Sequence, residues 1–271
     1  MTGKASGSIR KGKSWRGVDS ERTPQEWHTW FSIQAGWTKE TRQWLYQEAE
    51  VAKASKVLEV GCGTGAITQD IARRGSVRTV GLDIDPALLA YGNRQGDDVE
   101  LVQGDAHVLP FPNSSFDVVV CHYLLLWLAD PAAGVREMVR VVRPGGHVLA
   151  CAEPDYGGRI DHPPELVQLG QLQAQALSRQ GAEPEMGRRL GALFAAAGLE
   201  ATVGTMAGQW KAPAAEDAGF AAEWRTREHD LNGLIAPREL KRLRDIDRRA
   251  LKNGERTLFV PTFYALGKKL N

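Results

Sequence analysis

The run Val57-Leu58-Glu59-Val60-Gly61-Cys62-Gly63-Thr64-Gly65 decides the fold of this chain. Its first half is a short, mostly apolar segment that predicts a buried strand, and its second half has glycine at every second position. Because glycine lacks a Cβ atom, Gly61, Gly63 and Gly65 can adopt positive φ and allow a ligand close to the main chain. A strand, a glycine turn and a following helix together predict a site of nucleotide size.

From residue 57 to residue 152 the sequence alternates between strand-like and helix-like segments. The predicted strands cover residues 57–61, 77–83, 99–103, 116–121 and 146–152, and the predicted helices cover residues 65–74, 86–94 and 131–142. This alternation predicts an α/β fold with a doubly wound, mostly parallel sheet. Ligands of such sheets bind at the carboxyl ends of the strands, so the residues that follow each strand are the candidates for chemistry.

The composition argues against several classes of protein. The 271 residues include 34 Lys and Arg against 33 Asp and Glu, and a net charge of +1 attracts neither nucleic acid nor an anionic membrane. The three cysteines, Cys62, Cys121 and Cys151, lie in or beside apolar segments and indicate neither disulfides nor a metal site. The sequence shows no signal peptide and no membrane-spanning run. We therefore expect a cytoplasmic protein with a small-molecule partner, and the oligomeric state stays open.

Acidic residues follow the second and third predicted strands. Asp83 ends the second strand beside the glycine turn, where a carboxylate can accept hydrogen bonds from both hydroxyls of a ribose. Asp85, which precedes Pro86, fits the N-cap of the next helix instead. Asp105 follows the third strand and can accept a hydrogen bond from an adenine amino group, although aspartate is also common in plain turns.

From about Lys56 to Pro154 the sequence resembles a class I S-adenosylmethionine-dependent methyltransferase of the type 11, UbiE-like small-molecule group. Besides the glycine turn and Asp83, the motifs are Gly104-Asp105, Leu109-Pro110-Phe111-Pro112, Phe116-Asp117-Val118-Val119, Leu124-Leu125-Leu126-Trp127-Leu128 and Val142-Arg143-Pro144-Gly145-Gly146. The resemblance implies S-adenosylmethionine as cofactor and methyl transfer to an O, N or C atom of a small organic acceptor. It also implies a Rossmann-like sheet of seven strands, the last of them antiparallel.

The same resemblance implies which residues contact the cofactor. It places the methionine part against Gly61 and Gly63 and the ribose against Asp83, with the adenine between Ile84 and Asp105-Ala106. The full set of expected cofactor residues is Glu59, Gly61, Cys62, Gly63, Gly65, Asp83, Ile84, Asp105, Ala106 and His122.

The catalytic candidates are less specific, because a methyl group on a sulfonium is already activated and alignment supplies most of the rate. A base is needed only for some acceptors. The candidates are His122, Glu153, Asp155 and Tyr156. Residues 153–158 follow the fifth strand and look too polar and glycine-rich for buried core, which predicts an acceptor-site loop. An ordinary strand-terminating loop, and a His122 that only packs, are the alternatives.

Outside this core the sequence predicts further layers. Residues 1–22 predict a flexible basic arm, and residues 23–271 a single domain in three parts. These are tryptophan-rich cap helices at 23–52, a cofactor-binding core at 53–158 and an acceptor-side half at 159–271.

The acceptor-side half contains predicted helices at 163–179 and 186–197, a sixth strand at 199–206 and a last strand at 258–266. A helical insertion at about 213–254, with helices at 214–231 and 237–252, predicts a lid. Trp210 and Trp224 fit core packing as well as an acceptor pocket.

Three other hypotheses stay open on the sequence. Gly61, Gly63 and Ala66 also fit the looser fingerprint of NAD(P)-dependent oxidoreductases, although that fold has no regular use for Asp105. The basic arm allows an RNA or protein substrate, but acidic residues interrupt the basic helix at 237–252 and RNA motifs are missing, so we expect no nucleic acid partner. The third alternative is a binding protein that uses the cofactor without turnover.

Overall fold

A computed structural model describes residues 22–95, 99–206, 208 and 218–270. The predicted basic arm, apart from Arg22, lies outside the described residues. Trp210 and the first residues of the helix predicted at 214–231 lie outside them as well.

The described strands are β1 Lys56–Val60, β2 Arg78–Asp83, β3 Glu100–Gln103, β4 Phe116–Cys121, β5 Val142–Pro154, β6 Ile160–His162, β7 Leu199–Thr205, β8 Thr257–Phe259 and β9 Thr262–Lys269. A seven-stranded sheet has the order β3-β2-β1-β4-β5-β9-β7. The pairs from β3 to β5 are parallel, whereas β9 runs antiparallel to both β5 and β7. The predicted α/β fold, with its antiparallel last strand, is confirmed.

The described α-helices are α1 Pro24–Trp37, α2 Lys39–Glu48, α3 Ala66–Ala72, α4 Pro86–Asn93, α5 Pro131–Val141, α6 Val167–Arg179, α7 Leu190–Ala196, α8 Ala218–Asp230 and α9 Pro237–Asn253. Asp85 caps α4, as its place before Pro86 predicts, because its side chain accepts hydrogen bonds from the N–H groups of Ala87 and Leu88. Within the described part of the chain, no helix is both long and apolar enough to span a membrane.

The end of the chain differs from the prediction of one strand at 258–266. The structure divides this segment into β8 and β9, with Val260 and Pro261 between them. Pro261 has no N–H to donate to a sheet, and its carbonyl instead accepts a hydrogen bond from Asp155 N at 2.8 Å. β8 pairs with β6 in a separate two-stranded sheet, which the sequence pattern did not predict. Because residues 258–260 are all apolar, the sequence pattern does not indicate that the strand is interrupted here.

The core lies on both faces of the large sheet, with a smaller cluster among the helices after β5. One face packs mainly against α5 and α7, and the other against α2 and α3. The smaller cluster joins α6, α8 and α9 around Trp224, which is fully buried and donates its indole N–H to Asp247 at 2.8 Å. Of the two interpretations of Trp224, core packing is therefore the correct one.

Candidate active site

A cavity of about 1420 Å3 lies at the carboxyl ends of the parallel strands. Its walls come from the glycine turn, from the loops after β2, β3 and β4, and from α1, α6 and α8. The expected cofactor residues that line it are Glu59, Gly61, Cys62, Gly63, Asp83, Ile84, Asp105, Ala106 and His122. Gly65 is not among the lining residues and instead forms the N-cap of α3.

The glycine turn has the backbone that its sequence predicts. Gly61, Gly63 and Gly65 have φ angles of 76°, 54° and 82°, which L side chains rarely adopt. The N–H groups of Gly61 and Cys62 both donate to the carbonyl of Leu82, at 2.7 and 3.0 Å, so the turn is fixed to the end of β2. Burial raises the pKa of the Cys62 thiol well above its ordinary value, so this thiol is inert at neutral pH.

Asp83 connects the glycine turn to the loop that follows β2. Its Oδ2 atom accepts the Gly63 N–H at 2.7 Å, and its Oδ1 atom accepts the Asp85 N–H at 2.9 Å. Burial raises the pKa of this carboxyl above its usual value, although these backbone hydrogen bonds oppose the shift. The carboxylate is therefore held in one orientation at the cavity wall.

Asp105 is more exposed and is oriented by His107, which the sequence analysis did not single out. Asp105 Oδ1 accepts hydrogen bonds from the backbone N–H of His107 at 2.8 Å and from its Nδ1 at 2.7 Å. His107 Nε2 accepts the N–H of Asp130 at 3.3 Å, so the ring proton lies on Nδ1. Burial alone would raise the pKa of Asp105, but the hydrogen bonds from His107 outweigh it and the pKa is lowered.

Glu59 and His122 lie deeper in the wall. Burial raises the pKa of Glu59 to about 8, and its carboxyl accepts a hydrogen bond from the hydroxyl of Thr68. His122 Nε2 shares a hydrogen bond of 2.8 Å with the hydroxyl of Thr38, the residue between α1 and α2. Burial, with the nearby charge of Arg42, lowers the pKa of His122 to about 3. A neutral imidazole of such low basicity is a poor general base and a good positioning group.

The protonation of His122 predicts a pH dependence of stability. Its folded pKa of about 3 lies below its ordinary value of 6.5, so the unfolded chain takes up this proton first as the pH falls. The contribution of neutral His122 to the free energy of unfolding is therefore complete above pH 6.5, and it is lost progressively as the pH falls toward 3. For His122→Asn we expect a free energy of unfolding that falls less steeply than that of the wild type below about pH 6.5. Urea unfolding over a pH series measures this, with the exposed His162→Asn as control. Equal slopes for His122→Asn and the wild type would contradict it.

Two of the four catalytic candidates do not line the cavity. Glu153 is fully buried in β5 and accepts the N–H groups of residues 124, 125 and 126 at 3.0, 2.8 and 3.1 Å. Asp155 is also buried and binds Arg188 through two hydrogen bonds of 2.6 Å. The expectation that this segment is too polar to be buried is wrong for both residues, because backbone N–H groups and one guanidinium satisfy their carboxylates. Burial also raises the pKa of Glu153 to about 8.

The other candidate from that segment, Tyr156, does line the cavity, together with Tyr123, which the sequence analysis missed. Tyr123 has a φ of 51°, uncommon for a bulky residue, and its N–H donates to Ala152 O at 2.9 Å. Its hydroxyl lies near the side chain of Thr262. Residues with a strained backbone are often found at functional sites. The strain at Tyr123 is visible only in the structure, because its sequence does not indicate a positive φ.

The α1 helix closes one side of the cavity with aromatic side chains. Trp27, Trp30, Phe31 and Trp37 all line it. His28, on the same helix, shares a hydrogen bond of 2.9 Å with the hydroxyl of Thr64 in the glycine turn. This contact holds α1 to the turn after β1, and the Thr38–His122 bond holds its C-terminal end to the segment after β4.

Residues 58–150 match the family model described as a methyltransferase domain. This segment of the chain, which runs from β1 to β5, is therefore similar to a methyltransferase domain. Over 127 residues it is 31% identical to the demethylmenaquinone methyltransferase of Renibacterium salmoninarum, and the alignment covers 46% of this chain and 53% of that protein. The chain thus spans about half the length of the curated relative it matches.

Solved structures agree with the domain at the level of the fold. The [4+2]-cyclase SpnF superimposes with a TM-score of 0.58 at 18% identity, covering 86% of this chain and 80% of that one. A geranyl diphosphate methyltransferase in complex with SAM gives a TM-score of 0.55 at 14% identity, covering 86% and 85%. At these identities the likeness shows the methyltransferase fold alone.

Proposed function

We propose that this chain is an S-adenosylmethionine-dependent methyltransferase that methylates a small organic acceptor. The observation that carries the proposal is one cavity with two ends. The glycine turn, Asp83 and Asp105 line the first end, and the walls continue past His122 to Tyr156, α6 and α8. One end suits a nucleoside cofactor, and the other leaves room for an acceptor.

The residues at the first end fit the cofactor. A Cβ atom at Gly63 would lie 2.7 Å from the ring of Phe31, so side chains larger than hydrogen do not fit in this turn. The oriented carboxylate of Asp83 suits a pair of ribose hydroxyls, and exposed Ile84 offers an apolar surface to the adenine. Asp105, half exposed and deprotonated, suits an amino group.

When bound, S-adenosylmethionine supplies a methyl group on a positively charged sulfur that a nucleophile attacks in line. The protein's own contribution is alignment and exclusion of water. The side chain of His122, held by Thr38, and that of Tyr123 line the cavity between its two ends. The aromatic face of α1 covers the first end and keeps water from it.

The proposed function gives each of three segments of the chain a separate role. We assign residues 23–52 to a cap, residues 53–158 to the cofactor-binding core and residues 159–271 to the acceptor side, where α8 contributes to the cavity wall as a lid would. Tyr156, near the end of the core segment, lines the second end of the cavity. Glu153 and Asp155 support the loops around it and are positioning residues.

Calorimetry distinguishes this proposal from a nicotinamide enzyme. We expect the protein to bind S-adenosylhomocysteine with a Kd in the micromolar range, and NAD at least about 100-fold more weakly. Tight NAD binding without adenosylhomocysteine binding would overturn the proposal.

Turnover separates an enzyme from a binding protein. Labelled S-adenosylmethionine is incubated with a heat-treated cell extract that contains small molecules, RNA and protein, with the Asp83→Asn variant as control. Label that appears in small molecules with the wild type alone supports the proposal. Binding without any transfer would favour the binding protein, and label found in RNA or protein instead would contradict a small acceptor.

A further inference from the structure

The second end of the cavity has a polar wall that the cofactor does not use. We call it the acceptor end and define it by Tyr156, Arg159, Gln173, Glu223 and Arg227, which all line the cavity. Between these residues and the glycine turn the wall is mostly aromatic and aliphatic, with contributions from α1, α6 and β8. A molecule that fills this space has an apolar body and a polar end.

Arg159 is almost fully buried in this wall, with 5% of its side chain exposed. Its Nε and Nη2 atoms donate to the two oxygens of Asp161 at 2.7 and 2.8 Å, and Nη1 donates to Gln173 Oε1 at 2.6 Å. Each terminal nitrogen of a guanidinium carries two N–H donors. Within the described part of the chain, Nη1 and Nη2 therefore each keep a second donor for a ligand.

Arg227 is buried beside it, with 4% of its side chain exposed. Nη1 donates to Asp247 at 3.2 Å and Nη2 to Glu223 at 3.1 Å. Burial is the largest cause that acts on the pKa of Arg227 and lowers it. Glu223 and Asp247 raise this pKa and the charges of Arg256 and Arg159 lower it, and the net result is a lowered pKa. One more negative charge at this place would stabilise the guanidinium.

The carboxylates of the acceptor end already have protein partners. Glu223 accepts hydrogen bonds from both Arg227 and Arg256, at 3.1 and 3.0 Å. Asp230, which also lines the cavity, accepts a hydrogen bond of 3.4 Å from Gln180. Among the described residues these carboxylates are engaged by arginine or amide donors, while Arg159 and Arg227 have N–H donors to spare, and this favours an anion over a cation.

A buried charge pair often stabilises a fold less than apolar residues of the same size would. Two such arginines in the wall of a cavity therefore indicate recognition more than stability. The charges of Arg159, Arg227 and Arg256 are balanced by those of Asp161, Glu223 and Asp247. A monoanion suits this balance better than a dianion, and a planar carboxylate matches the planar guanidinium donors.

We infer that Arg159 and Arg227 form a carboxylate subsite, and that the acceptor carries a carboxylate on an apolar body. The inference rests on the proposed function, since it concerns the acceptor end of the same cavity. The carboxylate binds at the polar end and directs the opposite part of the acceptor toward His122 and Tyr123. Arg159 and Arg227 are thus specificity residues.

Matched probes test the subsite without knowledge of the natural acceptor. The probes are 1-naphthylacetate, 1-naphthylacetamide and 1-naphthylethylamine, together with decanoate, decanamide and decylamine. Each is titrated by calorimetry into wild-type protein saturated with S-adenosylhomocysteine. The naphthyl probes form one series and the decyl probes the other. In at least one of these series we expect the carboxylate to bind roughly tenfold more tightly than the amide, and the amine to bind most weakly.

Variants then assign the preference to the two arginines. We expect Arg159→Gln and Arg227→Gln each to remove the preference for carboxylate over amide. The control is Arg244→Gln, because Arg244 pairs with Glu228 in the same helical layer but does not line the cavity. Thermal melting identifies a variant that fails to fold. If Arg227→Gln fails to fold, the Arg159→Gln variant and the wild-type titrations still test the subsite.

The outcomes separate this inference from the proposed function. If adenosylhomocysteine does not bind the wild type, the proposed function fails. If it binds but neither carboxylate binds, or amide or amine binds as tightly as carboxylate, only the subsite is wrong. A preference that survives in Arg159→Gln would likewise overturn the assignment to these residues.

Discussion

The Asp83→Asn variant is expected to bind S-adenosylhomocysteine roughly 100-fold more weakly than the wild type. In the wild type each carboxylate oxygen of Asp83 accepts a backbone N–H, from Gly63 at 2.7 Å and from Asp85 at 2.9 Å. An asparagine has one oxygen, so its NH2 group must face one of these N–H groups or turn toward the ligand. The ribose also loses a charged acceptor. A hydrogen bond to a charged group contributes about 1–1.5 kcal/mol more than one to a neutral group, and two such losses give roughly this change in affinity.

Asp85→Asn is the matched control for this experiment. It removes the same charge two residues away, but Asp85 caps α4 through Ala87 N at 2.9 Å, and asparagine is an equally good N-cap. We expect its affinity for adenosylhomocysteine to stay within about threefold of the wild type. Calorimetry measures both affinities, and thermal melting without ligand shows that both variants fold. Unchanged affinity in Asp83→Asn, or an equal loss in both variants, would refute the role of Asp83.

The end of the cavity that we assign to the cofactor could be located from the sequence because its signals are local. The glycine turn needs positive φ at every second position, and only glycine adopts this readily, so the sequence itself indicates the turn. Asp83 and Asp105 each follow a strand, and parallel strands bring their carboxyl ends to one edge of the sheet. Periodicity and order therefore sufficed for the parallel part of the sheet and for the placement of these residues at one edge of it.

The acceptor side was not predictable in the same way, because its contacts join distant segments. Glu153 is an acidic residue in a polar run, and nothing in the sequence shows that the N–H groups of residues 124–126 meet it. The pairing of β6 with β8 joins residues almost 100 positions apart, as in Ile160 with Phe259. The left-handed backbone of Tyr123 has no sequence signal, since tyrosine does not favour it.

The place of α1 is an intermediate case. Its tryptophans predict a helix that buries aromatic surface, but periodicity does not say which surface receives it. The structure brings Phe31 against the glycine turn and His28 to Thr64, so the cap covers the first end of the cavity. That contact predicts how the turn responds to substitution.

Gly63→Ala is expected to abolish measurable binding of S-adenosylhomocysteine while the protein stays folded. The added Cβ would lie 2.7 Å from Phe31 Cε2, and the φ of 54° is unfavourable for alanine by about 1 kcal/mol. The methyl group also occupies the space through which the cofactor approaches the main chain. Calorimetry measures the affinity, and urea unfolding measures the free energy of unfolding. Gly198→Ala is the matched control, because Gly198 has a φ of 78° and nothing within 4 Å of the added Cβ. Its free energy of unfolding should fall by the same backbone contribution, and its affinity for adenosylhomocysteine should stay at the wild-type value.

The double variant Gly63→Ala with Phe31→Ala separates the two ways in which the methyl group can act. If the alanine only displaces the turn through its contact with Phe31, the double variant binds adenosylhomocysteine as tightly as Phe31→Ala alone. If the methyl group itself blocks the cofactor, Phe31→Ala alone binds and the double variant does not. We expect the second result, because Asp83 holds the N–H of Gly63 at 2.7 Å and so keeps the turn in place whether or not the ring is present. Restored binding in the double variant would mean that Phe31, and not close approach of the cofactor, accounts for the glycine at this position.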